Sequence, residues 1–341
     1  MTYTAFDRFN DAITSSPKDR VPVIAGTILW GATNFPGASY QEIVSDPELI
    51  AAAQLWVKET VSFDLVYPTP DNFFIGEAFG CKIRYSDGDP ILDHLPMKLK
   101  TLNDIDAINF PNPRKDGRFP VVLAAAKRLF EETKGTIPIM ANIEGVFTVA
   151  TRIIDPSQIL RMTLKTPEVL DVFLDRINRV LIELSLALVE NGVNSISMPE
   201  PTASSSMLSP KMFRRFVLPR LQEYTKEVNV PVMLHICGDT APILDAMAET
   251  GADILSLDQC MNLAEARKVL PETVIAGNVD PVDSLLMGKV ETVEQDALRC
   301  LETMGTERFV LMPGCGIPPK TSIENLKAMV QTASDYGLGK K

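Results

Sequence analysis

Histidine is scarce in this sequence, with two residues among 341, and the five cysteines are an odd number. So few and unevenly numbered cysteines in a long chain give no disulfide framework, so we expect reduced thiols and a cytoplasmic protein. No apolar run approaches the roughly 20 residues that span a bilayer. Residues 1–7 lack the basic and apolar regions of a secretory signal. We therefore expect neither secretion nor a membrane location.

Positive charge is also in deficit, because 33 Lys and Arg face 44 Asp and Glu, giving a formal net charge of −11. A nucleic-acid-binding protein needs clustered Lys and Arg to neutralise phosphates, and no basic stripe is present. Repeats of fixed period and low-complexity tracts are absent as well. The apolar fraction of 45% suffices for a large core, and we interpret residues 1–341 as one decorated domain. The sequence does not predict the oligomeric state.

Short β-branched segments alternate with longer helical patterns along the chain, as in βα units that build a parallel sheet. The strands are predicted near Val21–Ile28, Asp64–Tyr67, Ile137–Glu144, Ser195–Met198, Val230–His235, Ile254–Asp258, Thr273–Asn278 and Phe309–Met312. The predicted helices include Pro47–Val61, Phe119–Thr133, Pro167–Asn191, Pro210–Val228, Thr240–Thr250, Thr292–Met304 and Ser322–Tyr336. Eight parallel strands, each followed by a helix, close into a (β/α)8 or TIM barrel, which is the fold class that we predict.

Two extensions decorate the predicted barrel. A helical segment precedes the first strand, and the segment at about 75–113, rich in Gly, Asp and Pro, is too long for a simple βα connection. We expect it to form a hairpin or cap over the barrel mouth. A doubly wound open sheet is the alternative fold, but no G-x-G-x-x-G follows the first predicted strand to indicate a dinucleotide site.

The strongest chemical signal lies in two short glycine-containing segments. His235 and Cys237 are two residues apart at the end of a predicted strand, so both project to one face of it. Cys315 follows the eighth predicted strand, and the interior of such a barrel is only a few side chains wide. One imidazole and two thiolates suit zinc, and three protein ligands leave a position for a substrate. The sequence therefore predicts a catalytic zinc site.

The simpler interpretation of these residue types is structural. A buried cysteine usually behaves as a small apolar residue, and we assign Cys81, Cys260 and Cys300 to that class. His94 stands in a proline-rich stretch and is interpreted as a surface residue. Taken alone, His235 is equally compatible with a hydrogen-bonded core histidine. Its combination with two thiols at strand ends favours the metal site.

Polar residues also end other predicted strands and so gather at the barrel mouth. We predict Glu144 as a catalytic, metal-proximal carboxylate, and Glu200, Asp258 and Asn278 as cofactor-binding residues. The three carboxylates have open alternatives, namely a displaceable fourth metal ligand, a partner for the second ring nitrogen of His235, or side chains that face water. A metal-bound histidine usually donates its other nitrogen to a carboxylate or carbonyl, which favours one of them near the metal.

Six segments carry motifs that extend over nearly the whole chain: Ser16–Pro22, Gly76–Cys81, Pro201–Pro219, His235–Thr240, Ala276–Pro281 and Met312–Thr321. Through them the sequence resembles the uroporphyrinogen decarboxylase superfamily, and within it the zinc-dependent methylcobamide:coenzyme M methyltransferase branch. The resemblance implies that zinc is bound by His235, Cys237 and Cys315.

The sequence departs from the family patterns at three points, and these departures bear on whether the protein is a decarboxylase or a methyltransferase. The decarboxylases carry an N-terminal RQAGRY motif that binds substrate carboxylates, whereas no Arg or Lys lies between Arg20 and Lys58 here. They also carry Gly-His-Gly where this sequence has Gly-Cys-Gly around Cys315. Both differences tell against decarboxylation of a tetra-anionic porphyrinogen. The Gly-Pro-Phe usual in the methyltransferases reads Gly-Val-Phe at residues 145–147, a departure that concerns the substrate class.

The resemblance implies methyl transfer from a corrinoid, carried by a partner protein, to a zinc-activated thiol such as coenzyme M. No D-x-H-x-x-G segment is present, so the corrinoid is expected on the partner. Two other functions stay open. One is an O-demethylase that passes the methyl group of a methyl ether to Co(I). The other is a decarboxylase-like or non-catalytic metal-binding barrel.

Overall fold

The computed structural model describes residues 3–14, 17–85, 90–96, 98–337 and 339. Within them lie the strands β1 (Lys82–Arg84), β2 (Ile91–Asp93), β3 (Met140–Asn142), β4 (Ser195–Pro199), β5 (Val232–Ile236), β6 (Ile254–Leu257), β7 (Val274–Val279) and β8 (Phe309–Pro313). Strands β3 to β8 form one parallel sheet in sequential order. Each strand is fully or almost fully buried, as expected for a sheet that is covered on both faces.

Two extended segments join the edges of this sheet and close it. Val23 forms a parallel bridge with Leu311 of β8, and Val66 forms one with Ile139 beside β3. The two segments also meet each other, because the amide of Asp64 donates to the carbonyl oxygen of Val23 at 2.8 Å. They hold the first and second strand positions, and the predicted (β/α)8 barrel is confirmed.

The first two strand positions are shorter than the sequence predicts. In place of the predicted strands Val21–Ile28 and Asp64–Tyr67, each position has a single bridge. Proline explains the difference, since Pro22, Pro68 and Pro70 flank the bridges and have no N–H to donate to a ladder. The predicted first strand also runs into a helix, which begins at Ile28.

The helices form the outer layer. Aspartates cap three of them, since Asp46, Asp155 and Asp280 each accept from two backbone amides of the first turn. The predicted helix Pro210–Val228 divides at Phe213–Val217, where the turns widen just before Pro219. The longer helices, together with the two α-helical parts of the divided helix, are Ala5–Thr14, Ile28–Asn34, Pro47–Val61, Phe119–Thr133, Val146–Ile153, Pro156–Lys165, Pro167–Glu190, Pro210–Met212, Leu218–Glu227, Leu263–Val269, Val290–Met304 and Ile323–Gly337. The shorter helical turns are Tyr40–Ile43, Phe74–Ala78, Leu102–Asp106, Pro201–Ala203, Ala241–Ile243, Leu244–Ala248 and Pro281–Leu286.

Both predicted decorations are present. The insertion contains the antiparallel hairpin of β1 and β2, although its residues 86–89 and 97 lie outside the described residues. The N-terminal helix Ala5–Thr14 packs Phe9 and Ala12 among the side chains that fill the barrel interior. Its Arg8 donates to Asp64 at 2.9 Å. The assignment of residues 1–341 to one domain stays a prediction.

The interior of the barrel is a packed core. Alternate residues of β3 and β5 to β8 supply it, and with the two closing segments they form one apolar cluster, which includes Ile24, Leu65, Tyr67, Met140, Met233, Ile254, Val274, Ala276, Val310 and Met312. A second, larger cluster lies between the sheet and the helices. None of the helices in the described part of the chain has the length and apolarity that a bilayer crossing demands.

Candidate metal centre

A cavity of about 450 Å³ opens at the carboxyl ends of the strands, where barrels of this class hold their sites. Its volume lies within the range usual for small-molecule sites. Apolar side chains such as Met233 and Met312 form much of its wall, and the polar lining includes Glu144, Arg152 and His235 together with both cysteines of the predicted site. Sequence reasoning did not single out Arg152.

The structure brings the predicted zinc ligands together. His235 Nε2 lies 3.2 Å from Cys237 Sγ, and Cys237 Sγ lies 3.8 Å from Cys315 Sγ. One ligand atom from each residue lies within 4.8 Å of the others, and no carboxylate of the described residues joins this group. His235 is on β5, two residues beyond the interior-facing Met233, so its ring also faces the interior.

Two close backbone approaches shape the loops that carry the thiols. A Cβ atom on Gly314 would stand 2.3 Å from the amide nitrogen of Gln259, so only glycine lets the chain pass the loop after β6 and present Cys315. Gly238 follows Cys237 in a left-handed conformation, with φ of +80°. Its amide donates to Asp258 Oδ2 at 2.8 Å.

Serine, not a carboxylate, bonds to the second ring nitrogen of His235. Ser256 Oγ lies 3.0 Å from His235 Nδ1 and donates to Met312 Sδ at 3.5 Å. A metal-bound histidine coordinates through one ring nitrogen and donates from the other. Ser256 Oγ is placed to accept such a proton from Nδ1, which leaves Nε2, on the side of the thiols, to coordinate a metal. Sequence reasoning missed Ser256, although a serine inside the apolar strand Ile254–Leu257 is a detectable signal.

The two thiols are electrostatically coupled. The hydrogen bond with Cys315 raises the pKa of Cys237. The same bond, followed by that with His235, lowers the pKa of Cys315. One sulfur of the pair therefore ionises readily, and a divalent cation between the sulfurs favours the thiolate form of both.

Glu144 lines the same cavity and is 3% exposed. Burial raises the pKa of its carboxyl, against the opposing effect of Arg152. Arg152 donates from Nη2 to Glu144 Oε1 at 2.9 Å and from Nε at 3.2 Å. The other carboxylate oxygen, Oε2, is buried without a hydrogen-bond partner among the described residues. An unsatisfied buried oxygen that lines a cavity is a candidate contact for a ligand.

Glu200 is fully buried and bonds to the backbone that follows Glu144. Its carboxylate accepts from the amides of Phe147 at 3.1 Å and Thr148 at 2.6 Å, and from the Thr148 hydroxyl at 2.7 Å. Burial raises the pKa of Glu200 to about 7, although these hydrogen bonds lower it. The side chain fixes the first turn of the helix Val146–Ile153 and is not part of the cavity lining.

Asp258 and Asn278 also lie outside the described lining of the cavity. Asp258 accepts from the amides of Gly238 and Cys260, at 2.8 and 3.0 Å. The Asn278 amide donates to the carbonyl oxygens of Asp258 and Met261, at 3.0 and 2.8 Å. They hold the loops after β5 and β6, and the cofactor-binding role of Glu200, Asp258 and Asn278 stays a prediction.

The three ligand residues fit a zinc ion. A tetrahedral zinc with Zn–S bonds of about 2.3 Å holds its two sulfurs about 3.8 Å apart, which is the separation of Cys237 Sγ and Cys315 Sγ. The distance from His235 Nε2 to Cys237 Sγ, 3.2 Å, is a few tenths shorter than the about 3.6 Å that the same geometry gives. The donor set of one nitrogen and two sulfurs is also one that zinc prefers.

Fold and site together define a (β/α)8 barrel with a candidate three-ligand metal centre at its mouth. A family model described as uroporphyrinogen decarboxylase (URO-D) matches residues 4–336. The chain belongs to this family, as its motifs predict.

The relatives of this chain include both methyltransferases and decarboxylases, and a solved structure shares its fold. The chain is 30% identical to the methylcobamide:CoM methyltransferase MtaA of Methanosarcina barkeri, over 98% of each chain. It is 29% identical to a uroporphyrinogen decarboxylase of Geobacter metallireducens, over 95% of this chain and 97% of that relative. A solved structure of a methyltransferase from Methanosarcina mazei aligns with a TM-score of 0.90 and 31% identity, over 98% and 99% of the two chains. Identity alone does not separate the chemistries, so the site residues carry the functional argument.

Proposed function

We propose that this protein is a methyltransferase that moves a methyl group from a methylated corrinoid to an acceptor thiol, with zinc bound by His235, Cys237 and Cys315. The observation that carries the proposal is the convergence of these ligand atoms within 4.8 Å beside a cavity. The name of the relative MtaA, a methylcobamide:CoM methyltransferase, supports this proposal. So does that of a 27% identical relative from Methanosarcina mazei, methylated-thiol–coenzyme M methyltransferase.

When bound, zinc lowers the pKa of a coordinating thiol, so that the acceptor reacts as a thiolate. Cys237 and Cys315 contribute two negative charges, which leave the acceptor sulfur electron-rich. Ser256 holds the His235 ring through Nδ1 and keeps Nε2 unprotonated. Glu144 Oε2, which is buried and without a partner in the described structure, accepts the proton of the acceptor S–H. The sulfur then forms a bond to the methyl carbon, and the electron pair of the cobalt–carbon bond leaves with the corrinoid as Co(I).

We propose that the corrinoid arrives on a partner protein that docks over the barrel mouth. Segments beyond the carboxyl ends of β4 and β7, and the hairpin, present exposed apolar side chains, namely Ile91, Met207, Val282 and Met287. Glu200, Asp258 and Asn278 take part in corrinoid binding only through the loops that they hold. The five free cysteines support the proposal of a cytoplasmic location.

An O-demethylase is a second candidate function, because aromatic rings line the cavity at Tyr40, Tyr67 and Phe73. Such a lining suits a methoxy-aromatic substrate. Decarboxylation of a porphyrinogen has no comparable support, since Arg152 is the one Lys or Arg among the described lining residues. A tetra-anionic substrate needs several cationic partners.

The test is Cys237→Ser and Cys315→Ser, each compared with Cys260→Ser, in which an exposed thiol is replaced. We expect both site variants to lose most bound zinc by metal analysis and to lose methyl transfer from methylcobalamin to a thiol, because a serine hydroxyl is a poor zinc ligand. Circular dichroism should remain unchanged. Unchanged zinc content in both site variants contradicts the metal site.

The acceptor class is tested with the unmodified protein. Appearance of Co(I) when protein, thiol and methylcobalamin are mixed supports the thiol methyltransferase. Failure with every thiol, together with demethylation of methoxy-aromatics by protein and Co(I), supports the O-demethylase instead.

A further inference from the structure

Arg152 is the one Lys or Arg among the described residues that line the cavity. Its guanidinium lies over the Phe73 ring, 5.4 Å from the centroid, and its side chain is 34% exposed. Both hydrogen bonds that it donates, from Nε and Nη2, go to a single oxygen, Glu144 Oε1. An arginine has five N–H groups, so donors remain for a ligand in the cavity.

The other acidic residue of the lining is already paired. Asp71 accepts from Arg118 Nη1 at 2.6 Å, and it also accepts backbone amides. The Glu144–Arg152 pair is different, because Glu144 Oε2 has no partner in the described structure and Arg152 keeps unused donors. The pair is electrically neutral while Glu144 is ionised. A proton on Oε2 leaves the partly buried guanidinium of Arg152 without a counter-charge.

We propose that Arg152 determines acceptor specificity by binding an anionic group of the thiol, and that Glu144 releases Arg152 for this contact when it takes the thiol proton. The proposal rests on the proposed function. Guanidinium stays protonated in proteins, and a partly buried charge is stabilised by a partner of opposite sign. Proton transfer to Glu144 and anion binding to Arg152 therefore favour each other, and a short thiol that carries a sulfonate or carboxylate supplies both groups.

The charged surroundings of Glu144 are consistent with this exchange. Arg152 is the cation beside it, and Asp71 and Glu200 are carboxyl groups whose charges oppose a second negative charge there. An added ligand anion acts in the same direction, toward a protonated Glu144. The proton balance is closed, because the S–H proton moves to Oε2 and returns to water after the thioether leaves.

A second cavity of about 380 Å³ adjoins the first and shares Arg152 and Phe73 with it. Its lining includes His94 and the hydroxyl-bearing Thr151 and Thr202. Arg152 therefore lines both cavities, and the polar side chains of the second cavity surround an anionic group that binds to Arg152.

The proposal is tested by calorimetric titration of the protein with two thioether products, 2-(methylthio)ethanesulfonate and the neutral 2-(methylthio)ethanol. We expect the sulfonate to bind about tenfold or more tightly, as a charge-assisted contact predicts. We also expect proton uptake from the buffer with the sulfonate alone, measured in buffers of different ionisation enthalpy.

Arg152→Gln should remove the preference for the sulfonate, and Arg152→Lys should restore part of it, since lysine keeps the charge but not the planar fork. Glu144→Gln should abolish proton uptake while the sulfonate binds at least as tightly. The double variant Glu144→Gln/Arg152→Gln guards against misfolding from an unpaired buried carboxylate and should also lack the preference. Arg128→Gln is the matched control, because it removes an arginine that forms exposed ion pairs.

An unchanged sulfonate preference in Arg152→Gln and in the double variant overturns the proposal, and so does the absence of proton uptake in the unmodified protein. The assay of methyl transfer is separate from these titrations. If sulfonate binding depends on Arg152 but no thiol is methylated, the proposed function fails and the anion site stands. If charged and neutral thiols are methylated equally, with and without Arg152, the proposed function stands and the anion site fails.

Discussion

At the scale of single residues, the convergence of the three candidate metal ligands could be predicted because their signal is local. His235 and Cys237 are two residues apart on a strand, and Cys315 follows a strand between two glycines. The partner of His235 could not be predicted in the same way. It depends on register, which sets His235 beside Ser256 of the neighbouring strand, and a list of residues at strand ends does not contain it.

We expect Ser256→Ala to weaken zinc binding about tenfold or more, because outer-shell partners of metal-bound histidines contribute that much affinity. The lost hydroxyl no longer accepts from Nδ1, and the ring is free to rotate or to change tautomer. Competition with a zinc-binding dye measures the affinity. Ser195→Ala is the control, since Ser195 is equally buried and its hydroxyl has no partner in the described structure. Equal affinities in the two variants would refute the role of Ser256.

At the scale of elements, the turn from β3 into the next helix is the part of the site that the sequence least revealed. The predicted strand runs to Glu144, but β3 ends at Asn142 and the helix begins at Val146. The reason is tertiary, because the first-turn amides of that helix bond to Glu200, which follows β4. Glu200 presses against Gly145 and so fixes the direction in which Glu144 enters the cavity.

Gly145→Ala should destabilise the protein by about 2 kcal/mol or more, the usual cost of overpacking. The added Cβ would stand 1.9 Å from Glu200 Oε2, so the carboxylate must leave the amides that it accepts. Urea unfolding measures the change. Gly26→Ala is the control, because its Cβ would meet only the Cα of Gly316 at 3.8 Å. Equal stability of the two variants would show that Glu200 can move at little cost.

At the scale of the whole molecule, alternation of strand and helix patterns was enough to predict the barrel, and the length and composition of residues 75–113 were enough to predict a hairpin or cap. The strand and helix pattern could not predict how the barrel closes, because long-range contacts hold the first two strand positions. Asp64 is 1% exposed and accepts from Arg8, from Arg20 and from the amide of Val23. The N-terminal helix, the first position and the second position therefore meet at one carboxylate.

Asp64→Asn should destabilise the fold by about 3–5 kcal/mol, because the largely buried guanidinium of Arg20 loses its counter-charge and Arg8 keeps only Asp19. We expect a single, shifted unfolding transition in urea, followed by circular dichroism. Asp106→Asn is the control, since it removes a solvent-exposed ion pair with Arg176 and should change stability by less than about 1 kcal/mol. A small effect of Asp64→Asn would mean that the barrel closes without this cluster.

The closure by single bridges gives the barrel two unlike walls. The continuous ladder from β3 to β8 carries His235 on β5, and the candidate ligands Cys237 and Cys315 follow β5 and β8 within two residues, so many mutually reinforcing bonds support their spacing. The opposite wall, where Gly26, Ile28 and Tyr67 line the cavity, has few interstrand bonds to break. Local opening costs least where such bonds are few. We therefore expect fluctuations of the barrel to concentrate in the weaker wall, while the spacing of His235 and the two thiols persists.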